Sequence, residues 1–106
     1  MKGDRLGEFE EFLLLAMTAL GDETYAVPVQ QYVERETARR ISMGAVYAAL
    51  DRLERKGLVR SSMGAATSER GGKRKRLFSV TPLGRRTIHD VRKVRERIWL
   101  AIDEGR

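Results

Sequence analysis

The sequence predicts a mainly α-helical fold that contains one small β-hairpin and closes with a long helix. Three observations support this prediction. Apolar residues recur at helical spacing in three segments of the first half. Two short segments rich in β-branched and aromatic residues then flank a Gly-rich basic stretch. After a Thr-Pro pair the helical period returns and continues almost to the end. A chain of 106 residues is long enough for one domain with one small core.

The first helix is predicted from about Glu8 to Leu20, with Gly21 as its stop. Acidic residues fill its first turn, where they complement the helix dipole. Leu14 and Leu15 widen the apolar surface beyond a single stripe, so this helix must be covered on more than one side. The stripe itself consists of Phe9, Phe12, Leu13, Ala16, Met17 and Leu20.

The second helix is predicted to begin at Pro28, because proline lacks the N–H that would be unpaired in a first turn. Val29 and Val33 fall one turn apart and are expected to face the core. The run Glu34–Glu36 is expected to keep the opposite side in water.

The third helix has the clearest boundaries. Ser42 is the predicted N-cap, since its hydroxyl can accept from the free amides of the first turn. Gly57 is predicted to take the left-handed conformation that ends a helix, with Leu58 as its hydrophobic partner. The buried stripe between them is predicted to be Val46, Ala49, Leu50 and Leu53.

The hairpin is predicted from two strands, Leu58–Met63 and Arg76–Val80. The intervening run 64–75 is small, polar, Gly-rich and basic, as expected of a loop. Its length is unusual for a hairpin, and long ordered loops in compact domains usually have a function.

Thr81 and Pro82 predict the start of the last helix, as cap and first residue. This helix is expected to run to about Ile102, with Ile88 and Trp99 at the edge of its apolar stripe. Three core helices and a hairpin cannot cover its far end, so a second copy of the chain is expected to do so. The stripe consists of Leu83, Val91, Val94, Ile98, Ala101 and Ile102.

Charge is distributed unevenly along the chain. The net charge of +6 divides into −4 over residues 1–51, +7 over 52–76 and +3 over 77–106. A basic cluster of this kind is expected of a protein that binds a phosphate backbone, although a solvated basic surface explains the charge equally well.

Other classes find little support in the composition. The chain has no cysteine and a single histidine, His89, so catalytic thiolates, metal sites and cofactor sites are not expected. No apolar run approaches the roughly 20 residues needed to span a bilayer, and Met1–Asp4 do not begin a secretory signal. We therefore expect a cytoplasmic protein that is not an enzyme and has no membrane partner.

The order of helix, helix, helix, strand, basic loop, strand and long helix is that of a winged helix-turn-helix. A major groove admits one α-helix, whose N-terminal part reaches the base edges. We therefore predict contacts to double-stranded DNA from the outward face of the third helix and from the hairpin. The predicted residues are Ser42, Met43, Gly44, Tyr47, Ala48 and Arg52 in the helix, and Arg70, Lys73, Arg74, Lys75 and Arg76 in the hairpin.

Two segments also resemble one family. Residues 42–59, SMGAVYAALDRLERKGLV, resemble the recognition helix of PadR-type transcriptional regulators, and residues 71–86, GGKRKRLFSVTPLGRR, resemble their wing and the start of their last helix. The resemblance covers about residues 6–100 and matches the compact subgroup, which lacks a separate effector domain. It implies a homodimer joined through the first and last helices, an inverted-repeat operator, and repression that a small molecule or signal relieves.

Some compact members bind flat aromatic ligands at the dimer interface, so the resemblance admits a small-molecule effector there. Trp99 is expected to pack in the interface rather than to hold such a ligand. We accordingly divide the chain into a DNA-binding domain, 1–81, and a dimerisation helix, 82–106. The predicted interface comprises Phe9, Phe12, Leu13, Val91, Val94, Ile98, Trp99 and Ile102. The alternative is a winged-helix interaction module whose basic face meets an acidic protein.

Overall fold

The computed structural model describes residues 5–21, 23–64 and 75–105. It confirms the predicted fold class. The helices and strands are α1 (Glu8–Leu20), α2 (Ala26–Thr37), α3 (Met43–Arg55), β1 (Val59–Met63), β2 (Arg76–Val80) and α4 (Pro82–Asp103). The strands are antiparallel, with Val59 opposite Val80 and Met63 opposite Arg76. Most of the predicted hairpin loop, residues 65–74, lies outside the described residues.

Local capping signals set the ends of α3 and α4 where the sequence predicts them. The Ser42 hydroxyl accepts from the Ala45 amide, and the Thr81 hydroxyl accepts from the Gly84 amide. Gly57 takes a left-handed φ of 77° after α3. Its amide donates to the carbonyl of Glu54, and the Leu58 amide donates to that of Leu53, so the last carbonyls of α3 are satisfied.

Two predicted boundaries are wrong by one or two residues. The second helix begins at Ala26 rather than at Pro28, with Tyr25 in extended conformation before it. Pro28 is therefore the third residue of α2, where it is tolerated because first-turn amides have no acceptor within the helix. The first strand begins at Val59 because Leu58 is used in ending α3.

The core lies where the three N-terminal helices meet the hairpin. Phe78 of β2 is fully buried, and its backbone amide and carbonyl pair with those of Thr24, which joins the α1–α2 loop to the sheet. The expected stripes of α2 and α3 are buried. Leu13 and Leu14 have no exposed surface, so α1 is covered beyond its predicted stripe on the side of Leu14, whereas Leu15 is 45% exposed and that part of the prediction is wrong. Leu13 is therefore a core residue, and the prediction that it lies in a dimer interface is wrong.

Only the first part of α4 packs against this core. Gly84 and Ile88 are buried, although the sequence placed Ile88 at the edge of the apolar stripe. Leu83, the first residue of the predicted apolar stripe, remains 44% exposed, and Gly84 is the residue that faces the backbone of Leu58. Every residue from Arg92 to Leu100 is exposed. Among the described residues, no helix combines the length and apolarity that a bilayer span requires.

Candidate nucleic-acid interface

The turn before α3 is held by two polar side chains of α2. The Gln30 side-chain amide donates to the Ile41 carbonyl at 2.7 Å, and the Glu34 carboxylate accepts from the Ile41 amide at 2.8 Å. Both backbone groups of Ile41 are thus satisfied one residue before the cap. The expectation that Glu34 lies in water is wrong. The spacing of Gln30 and Glu34, one helical turn apart ahead of a loop, is the signal that could have revealed them.

The outward face of α3 is made of small residues around one tyrosine. Gly44 and Ala48 are exposed, and Tyr47 is 42% exposed. A Cβ added at Gly44 would have no neighbour closer than the Ser42 hydroxyl at 4.0 Å, so this surface is open. Met43 instead packs partly against the core. The residues predicted from the third helix therefore share one accessible surface, with Met43 at its inner edge.

Arg52, farther along the same helix, is held by a buried carboxylate. Its Nε donates to Glu10 of α1 at 2.9 Å, and Lys56 Nζ donates to the other oxygen of Glu10 at 2.7 Å. The Gly7 amide donates to Glu10 at 2.8 Å, which caps the start of α1. Arg52 keeps 44% of its side chain exposed, so the side chain remains at the surface while its Nε is held by Glu10.

The environment of Glu10 favours the charged form. Burial alone raises the pKa of this carboxyl. Hydrogen bonds from Lys56, from the Gly7 amide and from Arg52, together with the charge of Lys56, outweigh burial and hold the pKa of Glu10 below its ordinary value. From the sequence, Glu10 is expected only to complement the helix dipole. Its position at the third residue of the helix, from which a glutamate carboxylate can accept from the amide before the first turn, is the signal that indicates this contact.

The hairpin contributes two of its five predicted cations to the described residues. Lys75 is exposed, and its Nζ lies 4.0 Å from the centroid of the Tyr25 ring. Arg76, at the start of β2, donates to Glu54 at 2.8 Å and to Asp51 at 3.2 Å, both in α3. This contact places the base of the hairpin against the helix. Arg70, Lys73 and Arg74 lie outside the described residues.

The predicted interface residues fall into two groups. Phe9 and Phe12 of α1 pack partly against the core, and Val91 is half-buried. The far half of α4 is a different environment, because its large apolar side chains have more than two fifths of their surface in solvent. These are Val94, Ile98, Trp99 and Ile102, joined by Leu100, which lies outside the predicted stripe.

Two comparisons match this chain to known proteins. The family model described as "Transcriptional regulator PadR-like family" matches residues 14–90. A PadR-like transcription factor from Bacteroides fragilis has a TM-score of 0.75 at 17% identity, covering 94% of this chain and 91% of that one. A PadR-like regulator from Bacillus cereus has a TM-score of 0.71 at 16% identity, covering 91% and 88%.

A third structure was solved with DNA. Bacillus subtilis PadR in complex with operator DNA has a TM-score of 0.66 at 15% identity, covering 81% of this chain and 47% of that one. At this level of identity the three structures show a shared fold. No curated protein matches.

Proposed function

The chain belongs to the PadR-like family of transcriptional regulators, and from that premise we propose that it binds double-stranded DNA sequence-specifically and represses transcription. A regulator of this family is not an enzyme. The N-terminal half of α3 enters the major groove, and the cations of the hairpin contact the neighbouring phosphates. The proposed contacts are Ser42, Met43, Gly44, Tyr47, Ala48 and Arg52, with Arg70, Lys73, Arg74 and Lys75 from the hairpin.

One observation carries the proposal: an open helix face of small residues lies beside the base of a basic hairpin. Gly44 and Ala48 allow the α3 backbone to approach base edges closely, and Tyr47 can donate to a phosphate or a base. The salt bridge from Arg76 to Glu54 keeps the hairpin next to that face. Gln30 and Glu34 fix the turn that aims it.

We further propose that the protein acts as a homodimer. Ile98 and Trp99 expose 57% and 61% of their surface on the far half of α4, where none of the described helices or strands covers them. Contiguous exposed apolar residues on a helix are typical of an association surface. A dimer of this kind would set two copies of α3 about one turn of DNA apart, roughly 34–36 Å.

The last element of the proposal is release of repression by a small molecule. An apolar pocket of about 220 Å³ lies between α1 and α2, lined by Phe12, Leu15 and Tyr32 among others. It is smaller than the roughly 300–1,000 Å³ of typical ligand sites, so a partner helix would have to complete it. A flat aromatic compound fits a pocket lined by such rings.

The DNA-binding proposal is tested with a duplex selected from a random-sequence library by the purified protein. We expect the affinity for the selected duplex to exceed that for a scrambled duplex and to fall steeply with salt, because bound cations displace counterions from the phosphates. Gly44→Leu should abolish the preference for the selected duplex, since the added side chain occupies the space needed for close approach.

Ala19→Leu, which introduces the same side chain at an exposed position of α1, is the matched control and should bind as the unaltered protein does. Equal affinity for selected and scrambled duplexes, unaffected by Gly44→Leu, would refute sequence-specific binding. That outcome would favour an acidic protein as the partner of the basic face.

A further inference from the structure

The base of the hairpin is joined to α3 by one cluster of four polar side chains. Arg76 Nη2 lies 2.8 Å from Glu54 Oε1, 3.2 Å from Asp51 Oδ1 and 3.5 Å from Ser61 Oγ. The Ser61 hydroxyl donates to the second oxygen of Glu54 at 2.7 Å. The cluster therefore ties both strands of the hairpin to the same stretch of α3.

The position of Arg76 in its strand points the side chain toward the body of the protein. Successive side chains of a strand alternate between its faces, so Arg76 and Phe78 of β2 share one face while Leu77 lies on the other. Phe78 is fully buried in the core, and the Arg76 guanidinium carbon lies 4.9 Å from the centroid of its ring. Arg76 is thus on the inner face of the hairpin.

The charge around Arg76 also differs from that of a phosphate-binding arginine. One guanidinium lies beside two carboxylates, so the cluster carries a net charge of −1. A phosphate that approached Arg76 would meet Asp51 and Glu54 as well, and like charges repel it. The planar guanidinium suits the joining of several acceptors at once, because its donors have a fixed geometry.

We propose that Arg76 is a positioning residue: through Glu54 and Asp51 it fixes the angle between hairpin and recognition helix and makes no phosphate contact itself. This inference rests on the proposed DNA-binding function, because the hairpin that Arg76 positions is the proposed phosphate-binding element. It replaces the sequence-based prediction that Arg76 contacts DNA. Glu54 acquires a role of the same kind. An acidic residue on a DNA-facing helix strengthens binding by holding the hairpin in place.

The two roles predict opposite effects of neutralising Glu54. If Arg76 positions the hairpin, Glu54→Gln and Arg76→Met each weaken specific binding, and the double variant is no weaker than either. Coupling within one ion-pair network corresponds to factors of about 2 to 150, so we expect about a tenfold loss. If Arg76 binds phosphate, Glu54→Gln frees the arginine, removes a repulsive charge and tightens binding.

Salt dependence separates the roles a second time. Loss of a phosphate contact reduces the slope of log affinity against log salt by about 0.9, whereas a positioning residue leaves the slope unchanged. Lys75→Met is the matched control, since it removes one positive charge from the exposed residue just before the strand, which is one of the proposed phosphate contacts, and should reduce the slope. We expect the slope of Arg76→Met to equal that of the unaltered protein. A reduced slope together with tighter binding by Glu54→Gln would overturn the inference.

A measurement without DNA keeps this inference distinct from the proposed function. Urea unfolding of the free protein, its two single variants and the double variant measures whether Arg76 and Glu54 are coupled. We expect the double variant to have the same urea midpoint as the less stable single variant, and additive shifts would overturn the inference. Arg76→Lys keeps the charge without the planar geometry and should restore only part of the stability. Failure of the unaltered protein to bind any duplex would refute the proposed function, while coupling in urea would still support the Arg76–Glu54 link.

Discussion

Replacing Glu10 with glutamine removes the negative charge that pairs with Arg52 and Lys56 at the C-terminal end of α3. Lys56 keeps only 16% of its side chain exposed, so the substitution leaves a largely desolvated ammonium without its counter-charge. Removing one partner of a buried pair costs about 3–5 kcal/mol. Arg52 is 44% exposed and can turn to water, so its bond to Glu10 adds less than about 1 kcal/mol. The glutamine carbonyl can still accept from the Gly7 amide. We therefore expect Glu10→Gln to lower the free energy of unfolding by about 3 kcal/mol, at the lower end of the buried range.

Urea unfolding at neutral pH measures this loss, and the same helix turn offers a matched control. Glu8 pairs with Arg39 at 3.5 Å, with 72% of the Glu8 side chain exposed. Glu8→Gln removes the same charge from the same turn and should cost less than about 1 kcal/mol. Equal losses for the two variants would refute the reasoning, because burial would then make no difference to the value of the carboxylate.

The dependence on pH follows from the lowered pKa of Glu10. A carboxyl that ionises more readily in the folded protein stabilises it at every pH above the ordinary glutamate pKa of about 4.3. That stabilisation declines as the pH falls through the lower folded value. The difference in stability between the unaltered protein and Glu10→Gln should therefore be constant near neutral pH and shrink below about pH 4. A difference that grows on acidification would contradict the direction of the shift.

Three further predictions concern the helix ends and the association surface. Gly84→Ala places a Cβ 2.2 Å from the Leu58 carbonyl oxygen and should lower the free energy of unfolding in urea by about 3 kcal/mol. Gly44→Ala, at an open helical position, should raise it by about 0.5–1 kcal/mol. A change of the same sign in both variants would contradict the contact beneath Gly84. Thr81→Ala loses the cap of α4 and should lower the thermal stability by the equivalent of about 1 kcal/mol, so an unchanged unfolding midpoint would argue against the cap. Ile98→Glu should yield monomers in analytical ultracentrifugation without loss of helical circular dichroism, and persistent dimers would place the interface elsewhere.

The elements of this fold were predictable where the signal is local. Ser42 and Thr81 cap helices through amides three residues ahead, and Gly57 ends α3 through its own backbone conformation. Such features depend on neighbouring residues alone, so the sequence contains them in full. Pro28 is the exception: proline favours the first helical position, but amides throughout the first turn lack an acceptor within the helix, so proline is tolerated there without fixing the helix start.

The side chains that organise the candidate site were less predictable because their partners are distant in the chain. Glu10 and Arg52 are 42 residues apart, and Arg76 and Glu54 are 22 apart. Charge patterning indicates that both arginines lie in a basic region, but only tertiary packing decides whether a given arginine meets a carboxylate or solvent. Leu13 illustrates the same limit for apolar residues. Its spacing marks a buried face without showing whether this chain or a second copy covers it.

The contact between Gly84 and Leu58 fixes the start of α4, so a small change of angle there moves the far end of the helix by a larger distance. Its first turn lies directly on the Leu58 backbone, and Thr81 donates to the Gly57 carbonyl at the end of α3. From Gly84 the helix continues to Asp103, about 29 Å away. A tilt of about 5° at the root displaces the tip by about 2.5 Å over that length. In the proposed dimer, small repacking around Trp99 at the far ends of α4 would therefore turn each recognition helix by only a few degrees. The stiffness of the contact between Gly84 and Leu58 would then decide how precisely the two α3 helices keep the spacing of the two half-sites.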